Sequence, residues 1–391
     1  MTNPPRSPAF ALAAISMALT AAYMVPTMLP TLIDTLGSGL GLGIAGAGWV
    51  GTGALLASAV TGVLITGRAA RPGRARLAVV SLAAMVAGFL TATLVPVPAL
   101  AIAGIMLGGV GGGAVLSLAS AAIAAMANPD RATGVGLIAS TVIGSGIYMA
   151  LPLFGGGLAV TVGSIAVVCA ASVPFMRGLP EAPVQTGGPA GPLPARGPGL
   201  VLVAGICVWG ACEYALWAVT GTIGVDELGM DEGIVNLILS GSLFAGLIGG
   251  GIVAVIGDRY GRTVPLAAFL LLGVASKVMI AAGGVPAVYT TGQLLWNLTY
   301  QGALTYMIAI AATLDAGGRW AVLANAAFGF GTALGPVAGT GILSAGGIGG
   351  LSSVLVAASC AVVLPLVVVA RRTGAVRETS GPGPERQPVT G

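Results

Sequence analysis

The sequence predicts an all-α membrane protein with twelve transmembrane helices in two pseudo-symmetric six-helix bundles. Three observations support this fold class: the composition, the spacing of the apolar runs and the placement of charge. Of the 391 residues, 56% are hydrophobic and only 7% are charged, whereas a soluble domain carries about 25% charged residues. So few charges cannot cover a water-facing surface, and we therefore expect the lipid bilayer to surround most of the chain. The 65 glycines suit close helix packing in a bilayer.

The apolar runs give the number of spans. A helix needs about 20 apolar residues to cross the ~30 Å hydrocarbon core. Twelve runs have this length: 9–29, 44–66, 77–95, 99–126, 133–153, 156–176, 199–221, 234–256, 264–283, 286–312, 320–343 and 348–370. The Pro/Gly-rich segment 178–198 cannot form a span and separates six runs from six. We expect an N-terminal bundle (1–177), a flexible cytoplasmic linker (178–198), a C-terminal bundle (199–372) and a disordered cytoplasmic tail (373–391).

The charges predict the orientation in the membrane. Fifteen of the sixteen Lys and Arg residues lie on the two tails or on loops of one side. The opposite loops carry acids only, namely Asp34, Asp226, Glu227, Asp231 and Glu232. Because basic residues mark cytoplasmic loops, this pattern predicts a multi-pass protein of the cell membrane with both termini in the cytoplasm. It also accounts for the net charge of +4 without a nucleic-acid partner.

Several function classes are excluded by what the sequence lacks. There is no histidine, and the four cysteines all fall inside apolar runs without a CxxC spacing. We therefore expect no metal site, no cofactor and no disulfide framework. With one acid deep in a span, no cluster of catalytic groups is visible, so the chain is not expected to be an enzyme. The absence of a GxxxxGK[ST] sequence argues against ATP-driven transport.

The two halves resemble each other at an offset of 188 residues. The matching positions are 97–99 with 285–287, 71–74 with 259–262, and Arg131 with Arg319. All three matches occupy equivalent places in the predicted topology, which indicates an internal duplication. Two parallel six-span halves are a known transporter design.

The loop after the eighth span carries a family resemblance. It reads Gly257-Asp258-Arg259-Tyr260-Gly261-Arg262 and resembles motif A of the major facilitator superfamily, a D-R-x-G-R loop. The first-half copy keeps the Arg and Gly positions but has Ala70 in place of the acid. In this family the loop charges latch the two halves on the cytoplasmic side. The resemblance therefore implies a cytoplasmic gate that contains Arg71, Gly73, Arg74, Asp258, Arg259, Gly261 and Arg262.

A second motif lies in span 11. Gly331, Gly335, Pro336 and Gly339 resemble the antiporter motif of the same family, which is usually found in span 5. Such a pattern predicts a bent helix with small residues at a close crossing. Span 4 lacks the arginine that drug exporters of the family often carry there.

Two charged residues lie inside predicted spans, Glu213 in span 7 and Lys277 in span 9. A charge at the bilayer centre costs about 3 kcal/mol or more unless it is paired or hydrated. In one interpretation Glu213 faces a central cavity and binds a cation or a proton. In the other, the two side chains form a buried pair that fixes helix packing. The family geometry, with span 7 on the cavity, implies the first role.

Polar stripes indicate which helix faces line a cavity. Three amides share one face of span 10 with two aromatic residues, and polar amides have no reason to face lipid. Similar stripes occur on spans 1, 5, 7 and 11, which line or flank the cavity in the family. The candidate substrate-binding residues are Tyr23, Tyr148, Trp209, Glu213, Trp217, Gln293, Trp296, Asn297, Tyr300, Gln301 and Asn325.

These residues predict an amphipathic substrate that packs on aromatic rings and is oriented by amides. The leading hypothesis is a monomeric secondary active transporter that exports a drug or secondary metabolite by alternating access. Proton antiport would use Glu213 as the proton carrier. One alternative is an uncoupled uniporter or an importer of a small neutral metabolite. Another, from a different class, is a non-transporting membrane scaffold.

Overall fold

The computed structural model describes residues 7–95, 97–181, 192–257, 259–282, 284–315 and 318–379. Within these ranges the regular elements are all helices and no strand occurs. The all-α class predicted from composition is thereby confirmed. Because no water reaches the hydrocarbon core, helices that satisfy their own backbone hydrogen bonds suit this surrounding.

The first half contains seven helices that make six crossings. They are α1 (Pro8–Thr27), α2 (Leu29–Gly39), α3 (Gly43–Ala69), α4 (Arg74–Leu94), α5 (Pro98–Ala124), α6 (Pro129–Ala150) and α7 (Gly157–Ser172). Proline occupies the first helical position of α1, α5 and α6, where its missing N–H has no partner to lose. Ser7 and Asn128 cap α1 and α6 through their side-chain oxygens.

The second half makes six more crossings. Its helices are α8 (Arg196–Thr222), α9 (Glu232–Ile256), α10 (Thr263–Ala282), α11 (Pro286–Thr313) and a last helical run, Arg319–Thr379. Gly347, with φ 61° and ψ −168°, breaks that run into α12 (319–346) and α13 (348–379). A left-handed φ favours glycine, which allows two spans to be joined by a very short turn.

Hydropathy identifies ten of the described helices as candidate spans, with the last run counted once. Dividing that run at Gly347 adds one crossing, and α11 adds another. Helix α11 does not reach the hydropathy of the ten candidate spans, and Gln293, Asn297 and Gln301 interrupt its apolar sequence. The total of twelve crossings agrees with the prediction from sequence.

The structure differs from the prediction at three element ends. Helix α2 continues the chain beyond the first span (Pro8–Thr27) to Gly39, ten residues past the predicted end at residue 29. Its only proline lies in its first turn, where a helix tolerates it. Helix α8 begins at Arg196, inside the predicted linker 178–198, of which residues 182–191 lie outside the described part.

The third difference is at the C terminus. The last helix continues to Thr379, into the segment 373–391 expected to be disordered. No proline lies between Arg372 and Pro382, so nothing in that stretch prevents the helix from continuing past the end of the predicted span. Residues 380–391 lie outside the described part.

We name the two ends of the bundle by their charged loops. The arginine end carries the 68–76 and 259–262 loops, and the acidic end carries Asp34 and the 226–232 segment. One buried apolar cluster contains most of the first half and the acidic-end parts of α8 and α9. A separate cluster fills the arginine-end part of the second half. The halves thus share a core towards the acidic end, and the second half has its own core towards the arginine end.

The glycine motif of α12 forms a close helix crossing. A Cβ atom on Gly331 would overlap the Cys207 carbonyl of α8, and one on Gly339 would overlap the Ala215 carbonyl. Gly335, which lies between these two glycines on α12, faces Tyr214 of α8. Glycine at these positions lets the two backbones touch.

The proline of the same motif lies next to a contact between halves. The Val337 amide, directly after Pro336, donates to Thr52 Oγ1 of α3 at 3.0 Å. Small residues on the facing helix permit this approach, since a Cβ on Gly48 would overlap Thr340. The motif therefore fixes α12 against α8 within its own half and against α3 in the other.

Candidate substrate site

Four aromatic rings from α8 and α11 form one continuous stack. Trp209 stacks on Tyr300 with ring centroids 5.5 Å apart, Tyr300 on Trp296 at 5.6 Å, and Trp296 on Trp217 at 5.4 Å. Interplanar angles between 13° and 20° make these parallel contacts. Trp296 and Tyr300, four residues apart on α11, share a helix face and stack on each other between Trp209 and Trp217, which lie eight residues apart on α8.

Phe328 of α12 borders the stack through tilted contacts with Trp209 and Tyr300, whose ring centroids lie 6.1 Å and 6.3 Å away. Tyr214 meets Phe328 edge-on at 6.4 Å. Aromatic pairs in these geometries stabilise by about 0.5–1.5 kcal/mol beyond area burial. The stack is therefore a rigid apolar surface.

Glu213 lies behind this stack in a buried ion pair. Lys277 Nζ is 2.7 Å from Glu213 Oε1, and both residues are only 2% exposed. The other carboxylate oxygen accepts a hydrogen bond from Trp296 Nε1, and Lys277 also donates to the Gly273 carbonyl. Of the two interpretations of Glu213, this geometry matches the pair with Lys277. The carboxylate also fixes the orientation of the Trp296 indole.

A cavity of about 200 Å³ lies between the halves in front of the stack. Its polar and aromatic lining comes from both halves: Tyr23, Ser140, Thr141, Tyr214, Trp217, Trp296, Asn297, Tyr300, Gln301 and Phe328. Asn297 Nδ2 is 3.4 Å from Ser242 Oγ. The cavity can therefore offer ring faces to an apolar group and amides to a polar one.

Six of the eleven predicted substrate residues line this cavity: Tyr23, Trp217, Trp296, Asn297, Tyr300 and Gln301. Trp209 contributes to the stack without lining the cavity, and Glu213 is in the ion pair. The structure also adds Tyr214 and Phe328, which the sequence reasoning missed. Tyr214 follows Glu213 and lies off the polar stripe, whereas Phe328 lies on the stripe of span 11 between Asn325 and Thr332 but is itself apolar.

Three predicted substrate residues lie away from the cavity. Tyr148 is fully buried, and its hydroxyl donates to the Thr27 carbonyl at 2.7 Å. Gln293 is 0% exposed, and neither side-chain polar atom has a partner among the described residues. Asn325 is exposed near the arginine end, where it donates to the Ala321 carbonyl. An argument from helix faces alone does not separate these positions from cavity positions, because the depth of a residue along the helix also determines whether it reaches the cavity.

The cavity is closed towards the acidic end by contacts between halves. Trp217 Nε1 donates to the Pro26 carbonyl at 2.9 Å. Further along, Ser145 of α6 and Ser240 of α9 each donate to the other's carbonyl at 3.2 Å. Together with the Val337–Thr52 contact, these bonds lie on the acidic-end side of the cavity.

The first-half gate loop is held by an acid from the linker. The carboxylate of Glu181 accepts hydrogen bonds from the amides of Gly73, Arg74 and Ala75 at the N terminus of α4. An anion is favoured there by the helix dipole. Arg74 is fully buried and donates to the carbonyls of Ala69 and Pro180. Glu181, which the sequence analysis did not single out, thus supplies a carboxylate to the loop that has lost its acid at Ala70.

The second-half gate loop makes contacts within its own half. Arg262 Nη1 donates to the Ala309 carbonyl at 2.9 Å, and Tyr306 donates to the Gly257 carbonyl. Gly261 has a φ of 65°, and Arg259 is exposed, as is Arg71 in the first loop. Asp258 lies outside the described residues. The latch between halves implied by the family resemblance stays a prediction.

Comparison with known proteins identifies the class. A sequence model of the Major Facilitator Superfamily matches residues 10–314, and the chain therefore belongs to that superfamily. The twelve-helix, two-bundle fold and a multi-pass membrane transporter follow from this membership. No curated protein sequence matches the chain.

Two solved structures show the same fold at low sequence identity. The human organic anion transporter MFSD10 is similar with a TM-score of 0.69 and 15% identity, over 93% of this chain and 100% of that one. A bacterial homolog of the human lysosomal transporter Spinster, in an inward-facing and unoccupied conformation, has a TM-score of 0.67 and 14% identity. That similarity covers 95% of this chain and 98% of the other.

Proposed function

We propose that this transporter exports an amphipathic small molecule by alternating access. The observation that carries the proposal is the four-ring stack beside two cavity-lining amides, Asn297 and Gln301. Flat ring faces bind apolar or cationic groups, and amides orient a polar group by hydrogen bonds. No Arg or Lys lines the described wall of the cavity, which disfavours a strongly anionic substrate.

The proposed direction rests on the orientation of the charged loops. We take the arginine end as cytoplasmic because basic residues mark that side. Since the described seal lies towards the acidic end, loading in this state would occur from the cytoplasm. Release would then require separation of α3 from α12 and of α6 from α9 at the acidic end.

Proton coupling through Glu213 forms a separate part of the proposal. Protonation would remove the charge that holds Lys277, so this role requires the pair to open during transport. Glu213→Gln is then expected to abolish pH-driven transport in proteoliposomes while sparing substrate exchange. Equal loss of both activities would reject the role.

A second candidate, uncoupled uniport of a neutral metabolite, is favoured by the same ion pair. Lys277 already neutralises the charge of Glu213, so the transport cycle needs no proton to balance that carboxylate. Transport that is insensitive to an imposed pH gradient would support this alternative and contradict proton antiport.

Mutation of the stack tests the proposed binding wall. Trp296→Ala is expected to weaken transport of a fluorescent aromatic amphipath in proteoliposomes about two- to tenfold, since an aromatic pair contributes about 0.5–1.5 kcal/mol beyond area burial. Trp49→Ala is the matched control, because Trp49 is 67% exposed on α3 and does not line the cavity. Equal transport by the two variants, at equal amounts of folded protein, would contradict the proposal.

A further inference from the structure

A second cavity, of about 410 Å³, lies at the acidic end between the halves. Three acids line it: Asp34 of α2, Asp226 of the turn after α8, and Glu232 at the start of α9. No Arg or Lys lines the described part of this cavity, and none occurs in the sequence of the acidic-end loops. Three carboxylates without a cation repel one another, so the site gains stability from any positive charge that enters.

Asp34 is the most constrained of the three acids. It lies beyond the first membrane span, on α2, and its Oδ1 accepts a hydrogen bond from Thr222 Oγ1 across the interface between halves. Burial raises its pKa to about 7, with Asp226 and Glu232 adding to the increase and the Thr222 bond opposing it. The other titratable groups close enough to interact with it are the tyrosines Tyr148 and Tyr289, which are neutral near pH 7.

A buried amide in the same cavity supplies an independent indication of a ligand. Asn236 of α9 lines the cavity and is only 2% exposed, yet its Nδ2 has no hydrogen-bond partner among the described residues. A buried donor without a partner destabilises the folded state, because it has lost its hydrogen bonds to water without replacement. A ligand that brings a hydrogen-bond acceptor would remove that cost.

We propose that this acidic-end cavity binds a small organic ammonium ion that carries a hydroxyl or ether oxygen. The positive charge would lie among Asp34, Asp226 and Glu232, and the oxygen would accept from Asn236 Nδ2. The cavity exceeds the volume of a bare inorganic ion, and the described residues contain no group of three ligating side chains placed to hold a metal. Both facts favour an organic cation over a metal ion.

Binding would displace a proton from Asp34. The entering ammonium ion and the protonated carboxyl of Asp34 form a carboxylate–ammonium pair, and one proton is released. Charge and protons therefore balance. The role of this cavity in transport rests on the proposed function. In that role, the acidic end would be a site where an organic cation and a proton compete for Asp34. It thereby narrows the proposed amphipathic substrate to one that carries an ammonium group.

Calorimetric binding of choline to the purified, detergent-solubilised full chain tests the site. Choline has a permanent charge, so any pH dependence belongs to the protein. With a pKa of about 7 on Asp34, one-proton linkage predicts about tenfold tighter binding at pH 8 than at pH 6. Asp34→Asn keeps an acceptor for Thr222 and is expected to weaken binding about tenfold at pH 8 and to remove the pH dependence.

Two controls make the result specific. Glu227→Gln removes one acid from the same end without touching the cavity lining, and it is expected to leave choline affinity within a factor of about two. Asn236→Leu is expected to weaken choline binding but not the binding of tetramethylammonium, which has no acceptor oxygen. Equal choline affinity at pH 6 and pH 8, or an Asp34→Asn variant that binds like the original chain, would overturn the proposal. An equal loss in Glu227→Gln and Asp34→Asn would do so too.

The outcome is separable from that of the proposed transport function. If choline does not bind but Trp296-dependent transport persists, only the acidic-end site is rejected. If choline binds with the expected pH dependence but no substrate is transported, the proposed function is rejected and the site stands.

Discussion

Glu213 is fully buried and Asp34 is half-buried, and the groups around the two carboxylates differ in kind. Glu213 has Lys277 at 2.7 Å and the Trp296 indole as a second donor. Asp34 has a single hydroxyl donor, Thr222, and two further acids nearby. Burial raises the free energy of any charge, and only a compensating charge or several donors offset that cost.

In the described state, the difference suits the two acids to different tasks. A carboxylate locked by a lysine and an indole keeps neighbouring rings in place, which suits a residue behind a binding wall. A carboxylate whose neighbours are also acids changes its protonation near neutral pH, which suits exchange of a proton for another cation. The sequence position of an acid, inside a span or outside it, does not by itself predict which task it performs.

Removal of the cation from the Glu213 pair should have the largest effect. Lys277→Met leaves a buried charge without a partner, which typically costs about 3–5 kcal/mol. We expect a large decrease in the thermal denaturation temperature and in the yield of folded protein in detergent. The double variant Glu213→Gln/Lys277→Met should recover most of the loss, and a double variant as unstable as Lys277→Met would contradict the role of the pair.

Removal of the indole donor should have an intermediate effect. Trp296→Phe keeps a ring in the stack but deletes the hydrogen bond to Glu213, and hydrogen bonds to charged groups contribute about 1.5–3 kcal/mol. Thermal denaturation in detergent measures this loss. Trp49→Phe, on the exposed surface of α3, is the matched control, and equal shifts in both variants would show that the hydrogen bond adds nothing.

The smallest effect concerns Asp34, which is only half-buried and is therefore partly screened by water, and this effect depends on pH. Its pKa of about 7 in the folded chain lies above the ordinary 3.8, so the folded state holds a proton that the unfolded state releases. Stability from this group is therefore complete below pH 4 and is lost as the pH rises through 7. We expect Asp34→Asn to denature a few degrees higher than the original chain at pH 8, with little difference at pH 4. A difference that does not change with pH would refute the assignment.

Much of the architecture could be predicted from sequence because hydrocarbon imposes a simple length rule. The twelve apolar runs correspond to the twelve crossings, and the amide-rich run of span 10 proved to be α11, with Asn297 and Gln301 at the cavity. The glycines of span 11 also lie at a close crossing, because only glycine allows two backbones to touch.

The features that could not be predicted from the sequence depend on contacts between segments that are far apart in the chain. Glu181 caps α4 from 106 to 108 positions away, and no local pattern reveals such a pairing. Asp34 counted only as a loop charge, since no local sequence pattern indicates that α2 follows the first span and that Asp34 meets Thr222. Gln293 and Tyr148 share faces with cavity residues, but their depth along the helix removes them from the cavity.

The Trp217 indole ends the ring stack with its face and joins the halves with its N–H. A substrate that contacts the stack would therefore also act on Trp217, whose hydrogen bond to Pro26 joins the halves on the acidic-end side of the cavity. Under the proposed function, substrate loading and release would thereby be coupled through this one side chain. Without substrate, the hydrogen bond between Trp217 and Pro26 would stay intact, and this would limit the leakage of small solutes through the protein between transport cycles.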